Sequence, residues 1–224
     1  MIPRVLIDSA PIPGGGGELR LFKRGSEYSI MLGSNELMNS RLSGSEEALA
    51  RIASEKLRSV PRPVLLIGGL GMGFTLRAAL AALGAEAKFV VAELVPAVVQ
   101  WARGPMAEMY GDSLSDRRVT IVEADVGDLI GETHEAYDAI LLDVDNGPDG
   151  LTREANDRLY DFDGLQRARA ALRPGGILAV WSAAPDRAFA QRLGRAGFAV
   201  EEVTVRANRG RAGARHVIWF ASRR

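Results

Sequence analysis

Three acidic residues stand at the ends of apolar runs, where carboxylates can bind a ligand or move a proton. Glu93, Asp125 and Asp143 each come at the end of such a run or directly after it. If the runs are parallel strands, their carboxyl ends share one edge of a sheet, and ligands bind outside that edge. There Asp143 could orient an amine nucleophile, take its proton, or favour a cationic group by its charge. The alternative for Asp143 and for Asp145 is that each accepts from loop backbone N–H groups as an Asx turn.

A glycine-rich segment precedes the first of these acids by about 20 residues. Residues 64–67 are typical of a short buried strand, and residues 74–83 have helical spacing. Between them lie Gly68, Gly69, Gly71 and Gly73, which have no Cβ to hold a ligand away from the backbone. With Glu93 ending the next strand, this βαβ pattern predicts a site for an adenosine-containing cofactor whose ribose hydroxyls donate to Glu93. The alternative is an ordinary strand-to-helix turn, whereas a P-loop is excluded because no Gly-Lys-Ser/Thr follows.

Composition limits the class of protein. Of the 224 residues, 28 are basic and 28 acidic, so the formal net charge is zero. That balance gives no attraction to nucleic acid or to an anionic membrane, and no run reaches the ~18 apolar residues of a membrane span. The chain has no cysteine, and its two histidines, His134 and His216, lack metal-ligand spacing. We therefore expect a cytoplasmic protein without a signal peptide, acting on a small-molecule substrate, with no metal, nucleic acid or membrane partner.

The order of apolar runs and turns predicts a fold of the α/β class. Residues 1–60 contain strand candidates at 5–7, 18–22 and 28–32 and a helix that should begin near Ser45. We interpret them as a small N-terminal β extension with a linking helix, and residues 61–224 as the main domain. Strand candidates in the main domain are 64–67, 88–93, 119–123, 138–143, 177–182, 198–205 and 215–221. Helices between all but the last pair imply a doubly wound, mostly parallel seven-stranded sheet that ends in an antiparallel hairpin.

This pattern resembles the methyltransferase fold that binds S-adenosylmethionine. Gly69, Gly71 and Gly73 match its first motif, and Leu-Arg-Pro-Gly-Gly at 172–176 matches a later one. The resemblance implies a cofactor site made of Gly68, Gly69, Gly71, Gly73, Glu93, Leu94, Asp125, Val126 and Asp143. In such a site Glu93 holds the ribose, and Asp125 accepts from the adenine amino group while the neighbouring backbone N–H meets the ring.

More narrowly, the order of motifs is similar to that of the spermidine synthase group. Residues 143–148, the pair 159–160 and the helix start at 45–50 carry this resemblance, which covers most of the chain. It implies transfer of an aminopropyl group from decarboxylated S-adenosylmethionine to a diamine, with Asp143 as the catalytic residue. The substrate-binding residues would be Asp145, Glu46 and Tyr160. A homodimer is a possible assembly, because members of that group commonly pair.

Two departures from that group leave three hypotheses. In that group the glycine loop carries an aspartate that binds the aminopropyl amine, and the corresponding residue here is Gly71. The second acid of its Asp-Ser/Thr-Ser/Thr-Asp-Pro loop is displaced within 143–148. We predict foremost a methyltransferase that uses intact S-adenosylmethionine on a small or medium nucleophile, because Gly71 does not repel the methionine carboxylate. The alternatives are an aminopropyltransferase with a rearranged amine site and a non-catalytic nucleoside-binding protein.

Overall fold

Two sheets are formed by the described residues of this computed structural model, which are 2–144, 158–208 and 213–224. The N-terminal sheet contains β1 (Val5–Pro11), β2 (Glu18–Arg24), β3 (Glu27–Leu32) and β4 (Asn35–Asn39), paired antiparallel in chain order. The strands of the second sheet are β5 (Val64–Gly68), β6 (Lys88–Ala92), β7 (Val119–Val122), β8 (Tyr137–Leu142), β9 (Leu172–Ser182), β10 (Phe198–Arg206) and β11 (Arg215–Arg223).

The helices with described bounds either precede the second sheet or connect its strands. They are α1 (Gly44–Lys56), α2 (Phe74–Ala82), α3 (Pro96–Arg103), α4 (Ala107–Tyr110), α5 (Val126–Gly131), α6 (Phe162–Ala171) and α7 (Arg187–Arg195), with a 3₁₀ turn at Gly111–Leu114. Local signals explain several of their starts. Pro96 begins α3, where a missing N–H has no consequence. The side chains of Asp125, Asp161 and Asp186 cap α5, α6 and α7 by accepting from backbone N–H groups of the first turn.

The seven strands described for the second sheet lie in the order β10-β11-β9-β8-β5-β6-β7. Pairs among β5 to β9 are parallel, whereas β11 is antiparallel to both β9 and β10. The order reverses at β5, which has β6 on one side and β8 on the other, so the topological switch point lies at the carboxyl end of β5. The predicted α/β class, with a mostly parallel sheet ending in an antiparallel hairpin, is confirmed.

Side chains of the central strands point alternately to the two faces of this sheet, and on each face they pack into a hydrophobic cluster. Leu65 and Ile67 point into the cluster that holds the N-terminal sheet, α1, α2 and α3. Leu66, between them, points into the cluster formed with α5, α6 and α7. This two-sided burial is why the strands are continuous apolar runs rather than alternating ones.

The N-terminal sheet is joined to the main sheet by packing and by two long-range hydrogen bonds. Ile30 is fully buried in the same cluster as Leu65. The indole N–H of the buried Trp101 donates to the Asp8 carboxylate at 2.7 Å, and the Tyr28 hydroxyl donates to the Pro105 carbonyl. A division of the chain near residue 60 stays a prediction. In the described part of the chain, no helix combines the length and apolar character that crossing a membrane requires.

Some local features differ from the sequence prediction. The strand β4 was not expected, since Asn35-Glu36-Leu37-Met38-Asn39 has no β-branched residue and no clear alternation. Ser43 precedes α1 without a side-chain cap, and the Ser45 hydroxyl turns to a neighbouring carboxylate instead. Helix α2 ends at Ala82, one residue before the end of the predicted helical run at residue 83.

The Pro-Gly-Gly segment lies inside a strand rather than in a turn before it. Strand β9 begins at Leu172, opposite Tyr137, and its register shifts before Ile177 pairs with Ala139. Gly175 has a φ of +78°. Glycine adopts this conformation readily, and it is common at irregular strand positions of this kind. The expected start at residue 177 therefore marks where regular pairing resumes.

Candidate active site

The carboxyl ends of β5, β6 and β8 meet at a cavity of ≈ 140 Å³. We call it the cofactor cleft. Its lining from the main sheet includes Gly69, Gly71, Glu93, Leu94, Asp125, Val126 and Asp143. Its other wall comes from the N-terminal sheet and includes Leu19, Leu32, Leu37 and Met38. The structure thus brings together most of the predicted cofactor residues, and the N-terminal sheet covers them.

Glu93 lies at the base of the cleft with both carboxylate oxygens already engaged. One oxygen accepts from the backbone N–H of Leu70 and the other from that of Val95, each at 2.9 Å. Burial raises the pKa of Glu93, and these backbone donors oppose the rise. The backbone N–H groups of Gly71 and Leu94 also lower the pKa of Glu93, so the carboxylate is fixed in place at the base of the cleft. Its role toward ribose hydroxyls stays a prediction.

The glycine loop depends on residues that lack a Cβ. Gly69, Gly71 and Gly73 all have positive φ, at +88°, +51° and +72°. A Cβ on Gly69 would lie 3.2 Å from the carbonyl oxygen of Asp143, so β5 and β8 approach closely at this end. Gly68 must lack a Cβ because of packing beneath the cleft. A Cβ added there would lie 3.1–3.3 Å from the side chains of Val126 and Leu142.

Tyr110 contacts this loop from the far side, a role that no sequence motif indicated. Its hydroxyl donates to the carbonyl of Gly71 at 2.5 Å. Its ring lies where a side chain at Gly73 would be, with only 2.4 Å between the ring edge and that Cβ position. Burial raises the pKa of Tyr110, so the hydroxyl keeps its proton and stays a donor. Tyr110 follows 37 residues after Gly73 in α4, outside any local motif.

Asp125 sits at the rim of the cleft and also begins a helix. One of its oxygens accepts from the backbone N–H of Gly127 at 2.8 Å and caps α5. The buried Val126 lines the cleft beside it. Their roles toward an adenine ring stay predictions.

A second cavity of ≈ 100 Å³ adjoins the cleft. We call it the acidic pocket and define it by Glu46, Gly71, Phe74, Thr75, Asp143 and Trp181. Gly69, Gly71 and Asp143 line both cavities, so Asp143 stands at their boundary. Glu46 reaches the pocket from the first turn of α1.

The electrostatics of the acidic pocket favour a cation. Burial and the negative charge of Glu46 raise the pKa of Asp143 to about 7, while the Thr75 hydroxyl, which donates to Asp143 at 3.1 Å, opposes the rise. Burial also raises the pKa of Glu46, and a hydrogen bond from Ser45 opposes it. The described residues that line the pocket include no lysine, arginine or histidine. Two carboxylates are therefore held together without a basic side chain, an arrangement that an ammonium group would relieve.

Of the predicted substrate residues, one lies away from these cavities and another lies outside the described residues. Tyr160 is buried in the opposite hydrophobic cluster, with its ring edge-on to Phe189 at 5.7 Å, and is absent from the described lining of both cavities. Asp145 lies outside the described residues, as do Asn146, Gly147 and Pro148. Their substrate roles stay predictions.

His216 has a partner that the sequence did not reveal. Its Nδ1 lies 2.9 Å from the hydroxyl of Ser45, beside the acidic pocket. The described residues contain no group of three or more His, Cys, Asp and Glu side chains placed to hold a metal ion.

Comparison with known proteins identifies the family. Residues 43–187 match the spermine/spermidine synthase domain, which is more than half of the chain. The chain belongs to the spermine/spermidine synthase family. The resemblance inferred from the sequence is thereby confirmed.

Curated relatives of this family member carry the name polyamine aminopropyltransferase. One from Saccharolobus islandicus is 31% identical over 133 residues, which is 58% of this chain and 42% of the relative. One from Synechococcus sp. is 31% identical over 121 residues, which is 54% of this chain and 37% of the relative. The matched part therefore spans less than half the length of these relatives.

Solved structures show the same fold in this spermine/spermidine synthase family member. The spermidine synthase of Thermotoga maritima aligns with a TM-score of 0.76 at 19% identity, covering 98% of this chain and 72% of that one. Human methyltransferase-like protein 13, solved in complex with SAH, aligns with a TM-score of 0.58 at 21% identity, covering 80% and 79%. The two neighbours establish the methyltransferase-type fold.

Proposed function

We propose that this protein transfers an aminopropyl group from decarboxylated S-adenosylmethionine to an amine acceptor. The observation that carries the proposal is the acidic pocket, where Glu46 and Asp143 line one small cavity beside the cofactor cleft. The donor ends in an ammonium group and the acceptor is itself an amine, so each brings positive charge to this place. Membership of the spermine/spermidine synthase family and relatives named polyamine aminopropyltransferase support the same reaction.

The acidic pocket also argues against methyl transfer from intact S-adenosylmethionine. That hypothesis depended on Gly71, which carries no charge to repel the methionine carboxylate. Glu46, however, lines the same cavity as Gly71 and supplies a carboxylate from α1. A carboxylate ligand placed there would meet two acids in a partly buried site, which disfavours its charged form. Decarboxylated cofactor lacks that group and fits better.

The residues of the cleft suit an adenosyl group. Glu93, fixed at the base of the cleft, would accept from ribose hydroxyls, Gly69 and Gly71 would allow close approach of the backbone, and Asp125 lies at the rim. When bound, decarboxylated S-adenosylmethionine would supply an electrophilic carbon next to its sulfonium. Asp143, at the boundary of the two cavities and with a pKa of about 7, can accept a proton from an acceptor amine near neutral pH.

The test is direct synthesis. Purified protein is incubated with decarboxylated S-adenosylmethionine and putrescine, and spermidine and methylthioadenosine are measured by mass spectrometry. A parallel incubation uses intact S-adenosylmethionine. We expect both products only with the decarboxylated cofactor. Absence of spermidine, together with tighter calorimetric binding of intact S-adenosylmethionine, would overturn the proposal.

Matched variants connect the reaction to the pocket. Asp143→Asn should lower kcat by about 10²–10⁴, the usual contribution of a general base. Glu46→Gln should raise KM for the amine, since it removes one negative charge from the pocket. Glu55→Gln, on an exposed position of α1 and outside the described lining of the pocket, is the control and should leave both constants unchanged.

A further inference from the structure

A hydrogen-bonded chain enters the acidic pocket from the last strand. His216, on β11, approaches the Ser45 hydroxyl with its Nδ1 at 2.9 Å. Ser45 in turn donates to a carboxylate oxygen of Glu46 at 2.7 Å. Ser45 is buried and His216 is half-buried. The histidine lies 171 residues from Ser45 and outside the matched residues 43–187.

The proton count fixes the direction of this chain. A serine hydroxyl has one proton, and that of Ser45 is given to Glu46. Nδ1 of His216 must then donate to Ser45 rather than accept from it. Burial lowers the pKa of His216, which favours the neutral ring, and a neutral ring that donates to Ser45 has its single proton on Nδ1. Nε2 is left as an acceptor.

Packing holds the imidazole in this orientation. The ring stands edge-on to Trp181, with 4.8 Å between centroids and 82° between planes. Trp181 also lines the acidic pocket. Around His216, Val205 lies opposite on β10, with Arg206 next to Val205 and Arg215 next to His216. The hydrogen-bonded chain runs from His216 through Ser45 and ends at the carboxylate of Glu46.

We propose that His216 is a positioning residue of the acidic pocket: as an Nδ1–H donor acting through Ser45, it keeps Glu46 ionised, so that of the two carboxyl groups Asp143 is the one that binds a proton. The role in catalysis rests on the proposed function. Glu46 would then hold a substrate ammonium. Asp143 releases its proton to solvent before substrate binds, then accepts one proton from the acceptor ammonium, which becomes the neutral amine nucleophile.

The first test measures the histidine itself. In protein labelled with ¹⁵N, imidazole resonances report the tautomer, and His134→Gln assigns the two histidines, since His134 is exposed and is the other histidine of the chain. We expect neutral His216 with its proton on Nδ1. A proton on Nε2 would overturn the proposal.

The second test follows the two carboxyl groups by ¹³C NMR titration of ligand-free protein. Ser45→Ala should raise the midpoint of Glu46 by about 1–2 pH units, the equivalent of one hydrogen bond to a charged group. His216→Leu should move it in the same direction and lower the midpoint of Asp143. His216→Asn, whose amide can donate near the place of Nδ1, should restore both values. Unmoved midpoints in His216→Leu would overturn the proposal.

Thermal unfolding of each variant identifies loss of fold, and the ¹⁵N measurement of the His216 tautomer carries the test if His216→Leu does not fold. Because both measurements use ligand-free protein, they do not depend on activity. If they give the expected values and no spermidine forms in the synthesis assay, the proposed function fails while the hydrogen-bond assignment stands. If spermidine forms and His216 carries its proton on Nε2, only the positioning role fails.

Discussion

Asp143→Asn should stabilise the ligand-free protein at alkaline pH while it lowers turnover. The ordinary pKa of an aspartate, 3.8, is raised to about 7 at Asp143. At about 1.4 kcal/mol per pH unit, the ionised form is destabilised by about 4 kcal/mol in the folded state. Since the folded state binds the proton more tightly than the unfolded state, the free energy of unfolding falls as pH rises from about 4 to about 7. Asparagine removes this loss and can still accept from Thr75.

Urea unfolding at pH 4 and at pH 8 measures the effect. The advantage of Asp143→Asn over the natural protein should be less than about 1 kcal/mol at pH 4 and approach about 4 kcal/mol at pH 8. Glu86→Gln, which removes an exposed carboxylate from a turn, is the control and should show no such dependence. An advantage of equal size at both pH values would refute the claim that burial and Glu46 raise the pKa of Asp143.

Three further perturbations test the cofactor cleft. Tyr110→Phe removes the donor to the Gly71 carbonyl and should weaken calorimetric binding of methylthioadenosine by about threefold to tenfold; unchanged binding would contradict its role in holding the loop. Gly73→Ala should lower the free energy of unfolding by about 1–3 kcal/mol because of its φ and the Tyr110 ring, whereas Gly84→Ala, with open space around its Cβ, should not. Glu93→Ala should weaken binding of the same ligand by about tenfold to a hundredfold, while Asp143→Asn spares it; equal losses would mean that the two roles are assigned wrongly.

Much of the main sheet could be predicted because its signals are local. Continuous apolar runs such as 64–67 and 138–143 mark strands buried on both faces, and the glycine- and arginine-rich connection before β11 marks the hairpin. Ends of elements were less predictable, since they depend on tertiary pairing: β9 starts at Leu172 because Tyr137 pairs with it. Arg209 and Arg211 of the last connection lie outside the described residues. The homodimer and the cytoplasmic location stay predictions.

The part of the site that could be predicted lies at strand ends. In a parallel sheet the residue after each strand reaches the same edge, so the positions of Glu93, Asp125 and Asp143 follow from the order of strands alone. Their partners do not follow. Tyr110 reaches the glycine loop from α4, and His216 reaches Ser45 from the other end of the chain. Such contacts arise from packing and leave no spacing in the sequence.

The choice between methyl and aminopropyl transfer depends on such a packing contact, which the sequence pattern does not indicate. The prediction of methyl transfer depended on a local fact, the absence of an acid at Gly71. Charge in a cavity is a spatial property, however, and it depends on every element that lines the cavity. Packing of α1 beside the glycine loop brings Glu46 into the pocket that Gly71 lines. A carboxylate missing from the loop is thus present in the pocket, and the electrostatic reason to prefer intact S-adenosylmethionine no longer holds.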